Sequence, residues 1–184
     1  MNAPKASSSS RGGADVDLTV IAASTEYAVG LLHNHVVLIW RRKAVARGVN
    51  DVRRGFLEVV RGRTATKLGF ITVVDAQCEM SAAPDVRAEV TELLRLYAPH
   101  VGAAAVTFEG TGFRMTMVRS VITAINLASR SRFPNSVFTD KVAAAVWLEQ
   151  QMQTIGHAVP ATRIVGAVEV LRNESAKAGT ERST

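Results

Sequence analysis

Among 184 residues there is one cysteine, Cys78. A disulfide within the chain is therefore excluded, and so is a metal site built from several thiolates. No apolar run reaches the roughly 18 residues a membrane-spanning helix needs. Residues 1–16 are rich in Ser, Ala and Gly and lack the apolar core of a secretion signal, so a flexible tail and a cytoplasmic location are the default expectations. Aromatic residues make up only 5%, and the most basic stretch offers no set of them on which bases would stack. Acidic residues are the minority, 16 against 22 Lys and Arg, for a net charge of +6. That excess permits an anionic partner without identifying one. Neither the full dinucleotide glycine pattern nor the Lys-Ser/Thr pair of a phosphate loop occurs, and no internal repeat is evident.

What is present is a foldable core. Hydrophobic residues make up 47% of the chain, which suits one domain of this length. The stretch 68–109 is the most informative. A near-continuous apolar run (68–74) precedes a polar corner. A helix follows, with Pro84 in its first turn and Val86, Val90, Leu93, Leu94 and Tyr97 in its apolar stripe. Pro99 ends that helix, and a second apolar run (101–108) comes next. This is one strand–helix–strand unit of a mainly parallel sheet whose strands are covered on both faces.

Upstream, residues 20–22, 27–32 and 36–40 read as short strands. They are joined too tightly for crossover helices and are therefore antiparallel, with His33, Asn34 and His35 at a turn. Residues 44–63 hold a helix whose stripe is Val52, Phe56, Val59 and Val60. Gly48 argues for a start near Asn50 or Asp51, and Gly62 for the end. Downstream, the spacing predicts a helix over about 113–129 after the Gly110–Gly112 turn. A loop leading into a short edge strand ending at Phe138 follows, then a helix capped by Thr139 or Asp140. Phe133, Phe138 and Trp147 are expected to pack at the sheet edge. Beyond Gly156 the pattern suggests a C-terminal extension. Residues 159–171 would add a strand or a partner-binding arm, and a polar, partly disordered end would follow.

The expectation is thus an α/β domain over 17–155, with a mixed, mainly parallel sheet and four main helices. This order resembles the STAS fold of bacterial anti-sigma-factor antagonists, especially the divergent STAS-like (SpoIIAA-like) and lipid-transfer-related domains. The resemblance is carried over residues 17–153 by the Phe133-Pro134 corner, the short strand ending in Val137-Phe138, and the Ala144–Leu148 segment with its Trp-Leu pair. It implies a regulatory or scaffold protein that acts by protein–protein association, needs no cofactor and is not an enzyme. It also implies a phosphorylatable Ser or Thr after an Asp at the start of the helix following the central strand. Here the corner begins Asp75-Ala76, so the usual Asp-Ser pair is missing, and Ser81 is the nearest candidate phosphosite. A fixed scaffold fits that departure.

The candidate partner-binding residues are Arg47, Arg53, Arg54, Asp75 and Glu79. Between 41 and 67 lie nine basic residues opposed only by Asp51 and Glu58. Arg53 and Arg54 are expected to point away from the apolar stripe, either as a solvated face or toward an acidic protein or anionic surface. Nucleic acid is disfavoured. The Asp75 corner lies at the carboxyl end of a parallel strand, where open sheets place their sites. Three alternatives follow. Asp75, Glu79 or Glu109 would serve a hydrolase-like enzyme. Phe113 and Met117 over the 68–74 strand would line an apolar ligand pocket. Exposed sheet edges would support a homodimer. Cys78 reads as a structural thiol. His33 and His35 are spaced to begin a metal site, though turn residues are the simpler account, and no metal is expected.

Overall fold

A computed structural model describes residues 17–62, 67–79, 83–109, 123 and 133–180. Six strands form one sheet in the order β1 (Leu18–Ala23), β2 (Tyr27–Leu32), β3 (His35–Trp40), β4 (Leu68–Val74), β5 (Val101–Phe108), β6 (Asn135–Phe138). β1, β2 and β3 pair antiparallel, and β3 to β6 are parallel. Antiparallel neighbours need only the tight turns at residues 24–26 and 33–34. The parallel step from β3 to β4 is spanned by α1 (Ala46–Arg61) and that from β4 to β5 by α2 (Pro84–Tyr97).

These two helices cover one face. Val49, Val52, Phe56 and Val59 of α1 and Leu93, Leu94 and Tyr97 of α2 close over Val36 and Leu38 of the sheet. The ring of Phe56 meets Phe70 and Tyr97 edge-on, at centroid separations of 5.1 and 5.2 Å. The opposite face is covered by α3 (Lys141–Gln153) and α4 (Ala161–Thr180). Ala144, Ala145, Leu148 and Met152 of α3 pack there with Ile164, Ala167, Val168 and Leu171 of α4, over Val37, Ile39, Ile71 and Val73. Asp140 caps α3, its carboxylate accepting the Ala143 N–H at 2.8 Å. The helix expected over 113–129 lies outside the described residues.

Two expectations need correction. The first helix begins a turn earlier than Asn50, at Ala46 after the N-cap Val45, and Asp51 lies inside it. Gly48 does not interrupt α1, because a Cβ there would sit 2.5 Å from the Trp40 ring. The glycine is where strand and helix approach most closely. The second correction is larger. The C-terminal extension is neither a strand nor an arm but a 20-residue helix packed on β1, β2 and β3. Leu171 is fully buried and Ser175 nearly so.

At the lower end of the sheet, Asn34 ties three segments together. Its amide nitrogen donates to the Lys67 and His157 carbonyls at 3.1 and 3.2 Å, and its side-chain oxygen faces His35 Nδ1 at 3.1 Å. An oxygen only accepts here, so Nδ1 carries the proton. Nε2 is left without a partner among the described residues, pressed on Gly69, where a Cβ would stand 2.5 Å from it. Burial, and then the charges of His33 and His157, push the His35 imidazole down to about 4.

An unfolded chain regains the ordinary value near 6.5 and binds the proton that the folded chain refuses. Stability is therefore complete above pH 6.5 and is lost as pH falls toward 4, by up to about 3 kcal/mol. Thermal unfolding midpoints measured between pH 7 and 5 should fall, and a His35→Leu variant should lose much of that slope. An unchanged slope in the variant would assign the acid sensitivity to other groups.

Candidate functional site

The residue that follows each of three adjacent parallel strands is charged: Arg41 after β3, Asp75 after β4 and Glu109 after β5. The ladder continues through them. Asp75 N–H donates to the Trp40 carbonyl and Glu109 N–H to the Val74 carbonyl, each at 2.9 Å. Neighbouring strands lie about 4.8 Å apart, so the two carboxylates are held side by side.

Arg172 of α4 resolves their repulsion. Its Nη2 lies 3.1 Å from Asp75 Oδ1 and 2.5 Å from Glu109 Oε2, and its Nη1 lies 3.6 Å from Glu169. Arg41 takes the other oxygen of Asp75 through Nε at 3.3 Å and reaches Ser175 Oγ through Nη1, also at 3.3 Å. The Ser175 hydroxyl in turn donates to the Ser24 carbonyl in the β1–β2 turn. Lys141 joins Glu169 at 2.6 Å and approaches Glu109 at 4.0 Å. Burial works against the charge on Arg172. The hydrogen bond and charge of Glu109, with the charges of Asp75 and Glu169, outweigh it and hold the guanidinium above its ordinary value.

Three cations and three carboxylates thus cancel at the strand ends. Both oxygens of Asp75, which is 8% exposed, are occupied by guanidinium groups. The sequence pattern puts Asp75 and Glu109 at the strand ends, and the structure does bring them side by side. Here they share an arginine.

The other expected residues fall on or near this end of the sheet. Glu79 is exposed, and its N–H donates to the Arg42 carbonyl at 2.6 Å, so the corner after β4 touches the connection before α1. Arg47 is exposed in the first turn of α1. Arg54 is exposed and pairs with Asp51 at 2.9 Å. Tyr27 donates to the same Asp51 at 2.6 Å, and burial followed by that carboxylate raises its phenol well above the ordinary value.

Arg53 departs from expectation, being half-buried with its Nε enclosed. It is turned toward α2, where its charge adds to the hydrogen bond and charge of Arg95 in holding the Glu92 carboxylate below its usual range. Asp75 likewise is no free surface. Cys78 is buried, its thiol pushed up to about 11 by burial and by the charges of Asp75 and Glu79. That is the opposite of an activated nucleophile. Ser81, Phe113 and Met117 lie outside the described residues.

The two histidines separate. His33 is exposed in the turn with φ +52°, and His35 is buried in β3. Among the described residues no group of three or more His, Cys, Asp or Glu is placed to hold a metal ion, and no helix is long and apolar enough to cross a membrane. Phe138 and Trp147 pack at 5.6 Å on the α3 side of the sheet, while Phe133 belongs to the α1–α2 core.

Sequence reasoning missed Arg172, Lys141 and Ser175. A usable signal existed in the charged residues directly after each apolar run, which require a countercharge from elsewhere. No family model, curated protein or solved structure matches the chain.

Replacing Arg172 with Met removes the cation shared by Asp75 and Glu109, leaving Asp75 with Arg41 alone and Glu109 with the 4.0 Å approach of Lys141. The pair is partly open to water, Glu109 more than Asp75. The expected cost is therefore about 2–3 kcal/mol, less than a fully buried pair would show. Denaturant unfolding measures it, and adding Asp75→Asn to the Met variant should recover part of the loss. A Met variant as stable as wild type would show that the network carries no weight.

Proposed function

We propose that the protein is a non-catalytic, STAS-like association module that receives an acidic protein surface on the cationic rim of α1. The observation that supports this most is a contrast within one end of the sheet. The charges at the centre of that end are satisfied internally. Around them Arg42, Lys43, Arg47 and Arg54 are all exposed. Lys43 approaches Glu26 only at 3.9 Å and Arg54 is shared with Asp51, which leaves Arg42 and Arg47 as the outward charges. Glu79 sits beside them and gives the face a polarity that a partner can read as orientation.

The test is a charge reversal of the two outward arginines, Arg42→Glu with Arg47→Glu. Arg53 and Arg54 are left intact because α2 and Asp51 depend on them. Capture from a lysate of cells that make the protein identifies a partner, and its affinity is then measured against salt. The reversal should weaken binding about tenfold or more while leaving the thermal midpoint unchanged, and wild-type binding should fall with ionic strength. Equal affinity of the reversed protein, or no partner for wild type, would overturn the reading.

A further inference from the structure

A groove of about 510 Å³ opens at the opposite end of the sheet, between the β2–β3 turn, the end of α1 and the α3–α4 connection. Its size falls within the range of about 300–1,000 Å³ usual for small-molecule sites. Leu31, Val59 and Val159 supply apolar walls, and His33, His157 and Arg163 supply the polar side. Arg163 is half-buried. Ion pairs among the described residues engage Arg41, Arg54, Arg95 and Arg172 and leave Arg163 without a carboxylate.

Asn34 donates to the His157 and Lys67 carbonyls, which ties the α3–α4 connection to the β2–β3 turn along one side of the groove. Glu58 stands on the α1 side of the same groove. It disfavours a second negative group and confines anionic charge to the Arg163 end.

We infer that this groove binds a small organic monoanion, with its carboxylate on Arg163 beside the two imidazoles and a short apolar body against Leu31, Val59 and Val159. A guanidinium pairs with a carboxylate in its own plane through two parallel N–H bonds. The apolar walls, worth about 25 cal/mol for each Å² they cover, favour a ligand that carries a hydrocarbon body over a bare ion. This site is separate from the cationic rim of α1 and does not depend on that surface having a partner.

The experiment is an amide NMR titration of the full chain with hexanoate, hexanol and inorganic phosphate as separate probes. Hexanoate should give saturable shifts at His33, His157, Ala158 and Arg163. It should bind about tenfold more weakly to Arg163→Gln. It should be shut out by Ala158→Phe, which fills the groove from an exposed position. Hexanol binding as tightly as hexanoate would overturn the role of Arg163. Phosphate binding as tightly would overturn the apolar body. The absence of saturable shifts at these residues in the folded wild type would overturn the site itself.

Discussion

Two carboxylates on neighbouring parallel strands repel each other, and Arg172 lies between Asp75 and Glu109. The position of α4 follows from that pairing. A guanidinium presents several donors in a rigid plane, so it bridges two acceptors only from a narrow range of places. With Arg172 fixed, Ser175 one turn on reaches Arg41 and the Ser24 carbonyl. The apolar stripe of Ile164, Ala167, Val168 and Leu171 then lies on the sheet over β2 and β3. Hydrophobic burial supplies most of the attraction, but it is non-directional. The charge network gives the helix its register.

The two ends of the sheet solve different problems. At the carboxyl ends, charges meet because the topology brings the strand ends together, and they are neutralised by residues from α3 and α4. At the other end, polar backbone groups are gathered by one side chain, Asn34, and His35 is kept neutral by burial. The first arrangement leaves a satisfied centre with a cationic rim, the second a groove whose Arg163 meets no carboxylate among the described residues. A binding role at either end requires little rearrangement of the scaffold.

The sheet was largely legible in the sequence because its strands are short apolar runs with clear punctuation. Pro84 and Pro99 frame α2, and Leu68–Val74 matches β4 to the residue. Gly48 misled because a glycine's helix penalty is local, whereas its benefit here comes from Trp40. The C-terminal helix was missed for a related reason. Ile164, Val165, Val168 and Val170 are β-branched, which locally favours a strand, yet Ile164, Ala167, Val168, Leu171 and Ser175 follow the helical period. Packing on the sheet overrides the propensity. Asp75 was located correctly at a strand end. Its burial was hidden because Arg172, which neutralises it, is 97 positions away, and Arg53 was read as outward because only the packing of α2 against α1 turns it inward.

Native-state hydrogen exchange on the full chain tests the central claim, that α4 belongs to one cooperative unit with the strands whose ends its Arg172 bridges. Amides of α4 around Val168–Leu171 should open with the same free energy as those of β3 and β4, because one cooperative unit contains both. Exchange of α4 by a separate, lower-energy opening while β3 and β4 stay protected would show that the helix is an appendage, and would contradict the account.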